Sequence, residues 1–202
     1  MTTFTPISPD GLVALCVEAI GQFPGAVVVA VDGADAARPD LLAHRIGDRL
    51  RTLGRATGVV EMAHYLRPAS LRFEYGHTDG ESYRTSWFDH AALRREVLDP
   101  VRAGEPWLPR LWNPVTDRSF RDDRVAAADD QVIVVAGPML LGRHDADVTI
   151  RLSQSAAALS RHTSPEDRWT IPVLVEAAGE THADIEVRYD HPDRPAVARG
   201  PS

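Results

Sequence analysis

The sequence predicts an α/β protein built on a doubly wound, mainly parallel sheet, with helices on both faces in a three-layer α/β/α arrangement. Two unbroken apolar runs of strand length, "AVVVAVDG" at 26–33 and "QVIVVAGPMLL" at 131–141, lack the polar alternation of a half-exposed strand and so need cover on both sides. Segments with helical spacing of apolar residues stand between the strand-like runs, which is the pattern of a parallel sheet. The chain has 202 residues, 44% hydrophobic and 25% charged, as expected for one sizeable core. A single domain is expected over 1–190, with 1–24 as an N-terminal helical extension and 191–202 as a mobile tail that has nothing to bury.

In chain order, "SPDGLVALCVEAIGQFPG" reads as a helix that begins near Pro9 and stops before Pro24 and Gly25. After the first apolar run, Leu41, Leu42, Ile46, Leu50 and Leu53 recur at helical spacing, and Gly54 is a C-terminal cap. "ATGVVEMA" reads as a second strand, and "FDHAALRREVLDP" as a helix closed by Asp99 and Pro100. Residues 102–130, rich in Pro, Trp, Arg and Asp, read as loops with a hairpin around "LWNPVTDRSF". Beyond the second apolar run, "ADVTIRL" is a strand and "SQSAAALSRH" a short helix with Ser153 as its cap. "ADIEVRYD" is a last strand.

Composition excludes several classes. A formal net charge of -7 argues against general nucleic-acid binding, which needs clustered cationic surface. No apolar stretch approaches the roughly 18 residues of a membrane span, and "MTTFTPISPDG" lacks the features of a signal peptide, so the expectation is a cytoplasmic protein without a membrane partner. Cys16 alone cannot close an intrachain disulfide, and the histidines show no metal-ligand spacing, so no metal site is expected. All 22 basic residues are arginine. No lysine can therefore reach a phosphate from anywhere in this chain; only arginine, a metal or backbone N–H could neutralise one.

Strand, turn and helix around Gly33 form the setting in which nucleotide-binding proteins place G-x-x-x-x-G-K-[ST]. Counted from Gly33, the second glycine is Arg38, the lysine is Pro39 and the hydroxyl residue is Asp40. In plain terms Pro39 is a first-position helix proline and Asp40 a first-turn acid that complements the helix dipole. Arg38 is the one residue of the remnant able to attract an anion.

Taken together, "VVVAVDG", "VVEMAHYLRP", "ESYRTSWFDHAALRREVLDPV", "LPRLWNPVTDR", "QVIVVAGPMLLG" and "DVTIRL" resemble the uridine kinases of the P-loop nucleoside-kinase group, from about Val27 to Arg168. The resemblance is closest to a divergent branch, of the kind associated with actinobacteria, with a degenerate phosphate loop. It implies a doubly wound sheet, Mg-ATP, and phosphate transfer to the 5'-hydroxyl of uridine or cytidine. Where the group has an acidic pair after its second strand, this chain has Ala63 and His64, and the acid ending a later strand is replaced by Ala136. His64 is the candidate general base, since imidazole titrates near neutrality; otherwise it lines a pocket or the surface.

The resemblance places Arg67, Arg72, Tyr83, Arg84, Trp112 and Arg118 at the nucleoside pocket, with Trp112 at a base-contacting aromatic and Asp117 where the group has a histidine. Arg161 and Arg168 flank the segment that carries the phosphate-clamping lid arginines, or are solvated helix arginines. The expected function is a non-catalytic kinase-like protein with no cofactor, which binds a nucleoside-like or phosphorylated small molecule. One alternative is an active uridine/cytidine kinase or related phosphotransferase that uses Mg-ATP, with arginines in place of the loop lysine. Another is an interaction module that forms a homo-oligomer or binds a protein partner.

Overall fold

The computed structural model of the chain describes residues 3–199. A short strand β1 (Thr5–Pro6) precedes helix α1 (Pro9–Ile20), whose N-terminus is capped by Ser8: its Oγ accepts from the Gly11 N–H at 3.0 Å. Strand β2 (Val27–Asp32) leads through a 3-10 turn at Asp35–Ala37 into α2 (Pro39–Thr52), and Gly54 follows with φ +84°. Next come β3 (Thr57–Glu61), α3 (Ala69–Arg72), α4 (Gly80–Ser86), α5 (His90–Leu93) and α6 (Asp99–Arg102). The expected hairpin is β4 (Trp112–Asn113) with β5 (Arg118–Ser119), and β6 (Val132–Gly137) and β7 (Val148–Ser153) return the chain to the main sheet. Helices α7 (Ala156–His162) and α8 (Ile171–Glu180) and strands β8 (Ile185–Arg188) and β9 (Ala196–Arg199) complete the described chain.

The main sheet has the order β1-β9-β8-β7-β2-β6-β3. Strands β8, β7, β2, β6 and β3 run parallel, and β9 and β1 add an antiparallel edge. Every residue of β2 and of β6 is buried, as their unbroken apolar runs predict. The strand's period of two divides each run between two cores. Val27, Val29 and Val31, with Val132 and Val134, face α1 and α2. Val28 and Ala30, with Ile133 and Val135, face Tyr65, Tyr83, Phe88, Leu93 and Trp107. The three-layer, doubly wound architecture stands, and among the described residues no helix is long and apolar enough to cross a membrane.

Four details differ from the sequence expectations. The helix after Phe88 does not close at Pro100 but continues to Arg102. A π-turn at Arg94–Leu98 bonds the Asp99 N–H to the Arg94 carbonyl, and the Glu96 carbonyl, which Pro100 cannot serve, accepts from the Leu108 N–H at 2.9 Å. The cap of α7 is Ser155, with Ser153 the last residue of β7. Residues 9–20 are no appendage: Leu12, Val13, Cys16 and Ile20 are part of the core, and burial pushes the Cys16 thiol up to about 12. Residues 196–199, within the span expected to have nothing to bury, form β9 between β8 and β1; 200–202 lie outside the described residues.

Candidate functional site

The parallel strands deliver their C-terminal ends to one side of the sheet, where open α/β folds bind ligands. Here the turn after β2 is held by hydrogen bonds of its own. The Gly33 N–H donates to the Gly137 carbonyl at 3.1 Å, joining the ends of β2 and β6. The Ala37 N–H donates to Ala34 at 2.8 Å and the Arg38 N–H to Asp35 at 3.0 Å. Arg38 has φ 52°, in the left-handed region, and Pro39 has no N–H to offer. A phosphate cradle needs successive backbone N–H groups turned toward the ligand; in this turn those of Gly33, Ala37 and Arg38 are already committed.

The charges of Arg38 and Asp40 are also committed to each other. The Arg38 guanidinium grips the Asp40 carboxylate in a fork, Nε to Oδ1 at 3.0 Å and Nη2 to Oδ2 at 2.7 Å. Burial raises the Asp40 carboxyl, but the Arg38 hydrogen bond and charge and the N–H groups of Leu41 and Asp40 outweigh it and hold it below the usual range. The negative group at the head of α2 thus belongs to the protein itself.

Beside this pair lies a crevice of about 200 Å³ whose lining includes Asp40, Glu61, Ala63, Ala136 and Gly137. Arg38, Pro39 and Asp40 therefore meet both alanines at one place. Glu61, at the end of β3, is the acid of that crevice outside the loop, and it contacts His44 at 3.2 Å. His64 instead packs edge-on against Phe120 at 5.2 Å, beside the hairpin. Burial lowers its basicity, with Glu61 opposing and Arg110 adding to the effect.

The nucleoside-pocket candidates are dispersed. Tyr83 is 6% exposed, in an aromatic cluster with Trp87, Phe88 and Trp169 at 5.2–5.6 Å. Arg72 is buried: its Nε donates to the Arg67 carbonyl at 2.8 Å, and its guanidinium lies over Phe73 and Trp87. Arg67 itself is tied through its backbone N–H to the Trp87 carbonyl at 2.9 Å. Trp112 donates its indole N–H to Asp117 at 3.0 Å on the hairpin, where Arg118 is exposed. Arg84 pairs with Glu180 at 2.6 Å. Tyr83 and Arg84 border two different clefts, and Trp112 borders neither of them.

One cleft, of about 450 Å³, lies over the turn after β2, bounded by Asp35 and Arg38, by Tyr83 and Trp87, and by the segment from His162 to Asp167. Arg161 and Arg168 flank that segment exposed, and what it turns toward the turn is His162, Thr163, Ser164 and Asp167. The second cleft, about 320 Å³, reaches from Gly33 to α7 and α8 and holds an ion pair at Asp32 and Arg151. Asp32 is 7% exposed, accepting from the Leu140 N–H at 2.8 Å and from Arg151 Nε at 3.3 Å. Burial still raises its carboxyl against both partners. Arg151 also donates to the Ala178 carbonyl and to Thr181.

Sequence reasoning missed Asp32, Asp35, Arg151 and Asp167. The first and third carried a legible sign, since a charged residue closes one apolar run and another sits in "TIRL", and the parallel register sets them side by side. The other two are exposed polar residues that only the fold assembles.

No protein-family model matches the chain, and no curated protein matches its sequence. Solved structures do match its shape. A protein described as a possible uridine kinase from Bacillus stearothermophilus superposes with a TM-score of 0.65 at 16% identity, over 83% of this chain and 88% of that one. Another, described on a similarly provisional footing as a fructose transport system kinase from Silicibacter sp. TM1040, gives 0.61 at 19% identity, over 87% and 98%. Parallel sheet, flanking helices and these superpositions agree: the chain has the α/β fold of the P-loop kinases.

Proposed function

We propose that this protein is a non-catalytic bearer of the P-loop kinase fold, a small-molecule binder that neither holds Mg-ATP tightly nor transfers its phosphate. The observation that carries this reading is the Arg38–Asp40 fork at the head of α2. It sets an internal anion where the fold's phosphate loop would meet a nucleotide, and it occupies the arginine best placed to replace the loop lysine. A phosphate entering there must either break the fork or sit beside a charge pair with no net positive charge to offer it, while losing the loop lysine's cation altogether. Ala63 and Ala136 supply neither a proton acceptor nor a magnesium ligand in the adjoining crevice.

The test is calorimetric titration of Mg-ATP into the unaltered chain beside Asp40→Ser, together with a phosphotransfer assay on uridine. Affinity no better than millimolar and no uridine phosphate are expected. Micromolar affinity in the unaltered chain would overturn the reading.

A further inference from the structure

The cleft over the turn after β2 has the opposite charge character to a phosphate site. Asp35 and Asp167 both line it, and neither forms an ion pair among the described residues; Asp167 takes only the Ser164 hydroxyl, at 2.7 Å. Arg38, the cleft's one arginine, is held by Asp40, and His162 is its other basic group. Asp35 keeps open surface in the cleft, yet the protein crowded around its carboxyl raises it, and the charges of Asp40 and Asp167 raise it further. The opposite wall is aromatic and carries unused donors. Tyr83 is more than nine-tenths buried, and its hydroxyl makes no hydrogen bond among the described residues. That hydroxyl feels the charges of the same two carboxylates. The indole N–H of Trp87 is also buried without a partner.

Two carboxylates without ion pairs line a cleft of ligand size together with Tyr83 and Trp87, which makes a recognisable combination. A carboxylate pair holds a charged nitrogen, an aromatic wall suits the apolar body of an organic cation, and the Tyr83 hydroxyl calls for an acceptor on the same molecule. The apolar aromatic wall beside the carboxylates favours a cation that carries an organic body over a bare ion. We infer that this cleft binds a small amine or guanidinium compound, its cationic end between Asp35 and Asp167 and its body against Tyr83 and Trp87. This goes beyond the absence of phosphotransfer and does not depend on it.

The experiment titrates agmatine and spermidine separately into the full chain, by calorimetry and by the fluorescence of the tryptophans beside Tyr83, with inorganic phosphate as the anionic control. Saturable binding of at least one amine is expected, weakened about tenfold or more by Asp35→Asn and by Asp167→Asn, less by Tyr83→Phe, and unchanged by Glu180→Gln in the neighbouring cleft. Binding of neither amine, amine binding that both asparagine variants retain, or phosphate binding at this cleft would overturn the assignment. If Asp35→Asn fails to fold, Asp167→Asn on a separate segment decides. Tight Mg-ATP binding would defeat the functional reading and leave the amine titration standing.

Discussion

Asp35 and Asp40 lie in the same short connection between β2 and α2, yet their surroundings treat them in opposite ways. Asp40 is gripped by Arg38 and by N–H groups at the head of a helix, which keep it ionised. Asp35 has no cation of its own among the described residues, and although it keeps open surface, the protein crowded around its carboxyl and the like charges of Asp40 and Asp167 push it toward the neutral form. One carboxylate is satisfied by its own arginine, while the other leaves an open demand for positive charge. The contrast shows that two acids in a single short connection can be given opposite settings by the groups around them.

The strongest way to sharpen this contrast is at the pair beneath the turn. Arg151→Ala strands Asp32 in a buried place and is expected to destabilise the fold by about 3–5 kcal/mol in urea unfolding; adding Asp32→Asn should recover part of the loss. No effect would mean that Arg151 is not what lets Asp32 stay buried.

A smaller effect is expected from Asp35→Asn, which relieves repulsion and should raise Tm at neutral pH by about 1–3 °C. The sign follows from linkage. The folded-state pKa of Asp35 is raised, so the unaltered chain pays its penalty at neutral pH and recovers it as pH falls through that raised value toward 3.8. The stabilisation by Asn therefore fades over the same window. Asp40, held low, contributes stability that is lost only at more acid pH.

The smallest change in stability is expected from Arg38→Ala, since exposed ion pairs contribute little. Its readout is the Asp40 carboxyl, followed by NMR through an acid titration, which should titrate at higher pH once the fork is gone. An Asp40 that keeps its low value would assign the effect to the helix terminus alone.

Much of the fold was legible because burial leaves a plain mark on sequence. β2 and β6 are apolar throughout, and only strands covered on both faces can be so. α8 was not read: Pro172 interrupts its start, and none of its residues is fully buried, so its apolar residues form no clear core stripe. β9 was missed because "AVAR" becomes a strand only through its neighbours β8 and β1. At the site, the departure of Arg38, Pro39 and Asp40 from G-x-x-x-x-G-K-[ST] was visible from residue types alone, since that motif demands particular residues in order. The acidic cleft was not, because Asp35 and Asp167 meet only after α7 and the segment behind it fold back over the turn.

The antiparallel edge also bears on how this chain folds. Among the described residues β1 has β9 as its one neighbour in the sheet, with Thr5 opposite Val197. That pairing joins segments far apart in sequence, the kind of non-local contact that slows folding. Until β9 docks, β1 has no strand to pair with, and β8 presents an uncovered edge that is open to pairing with other strands.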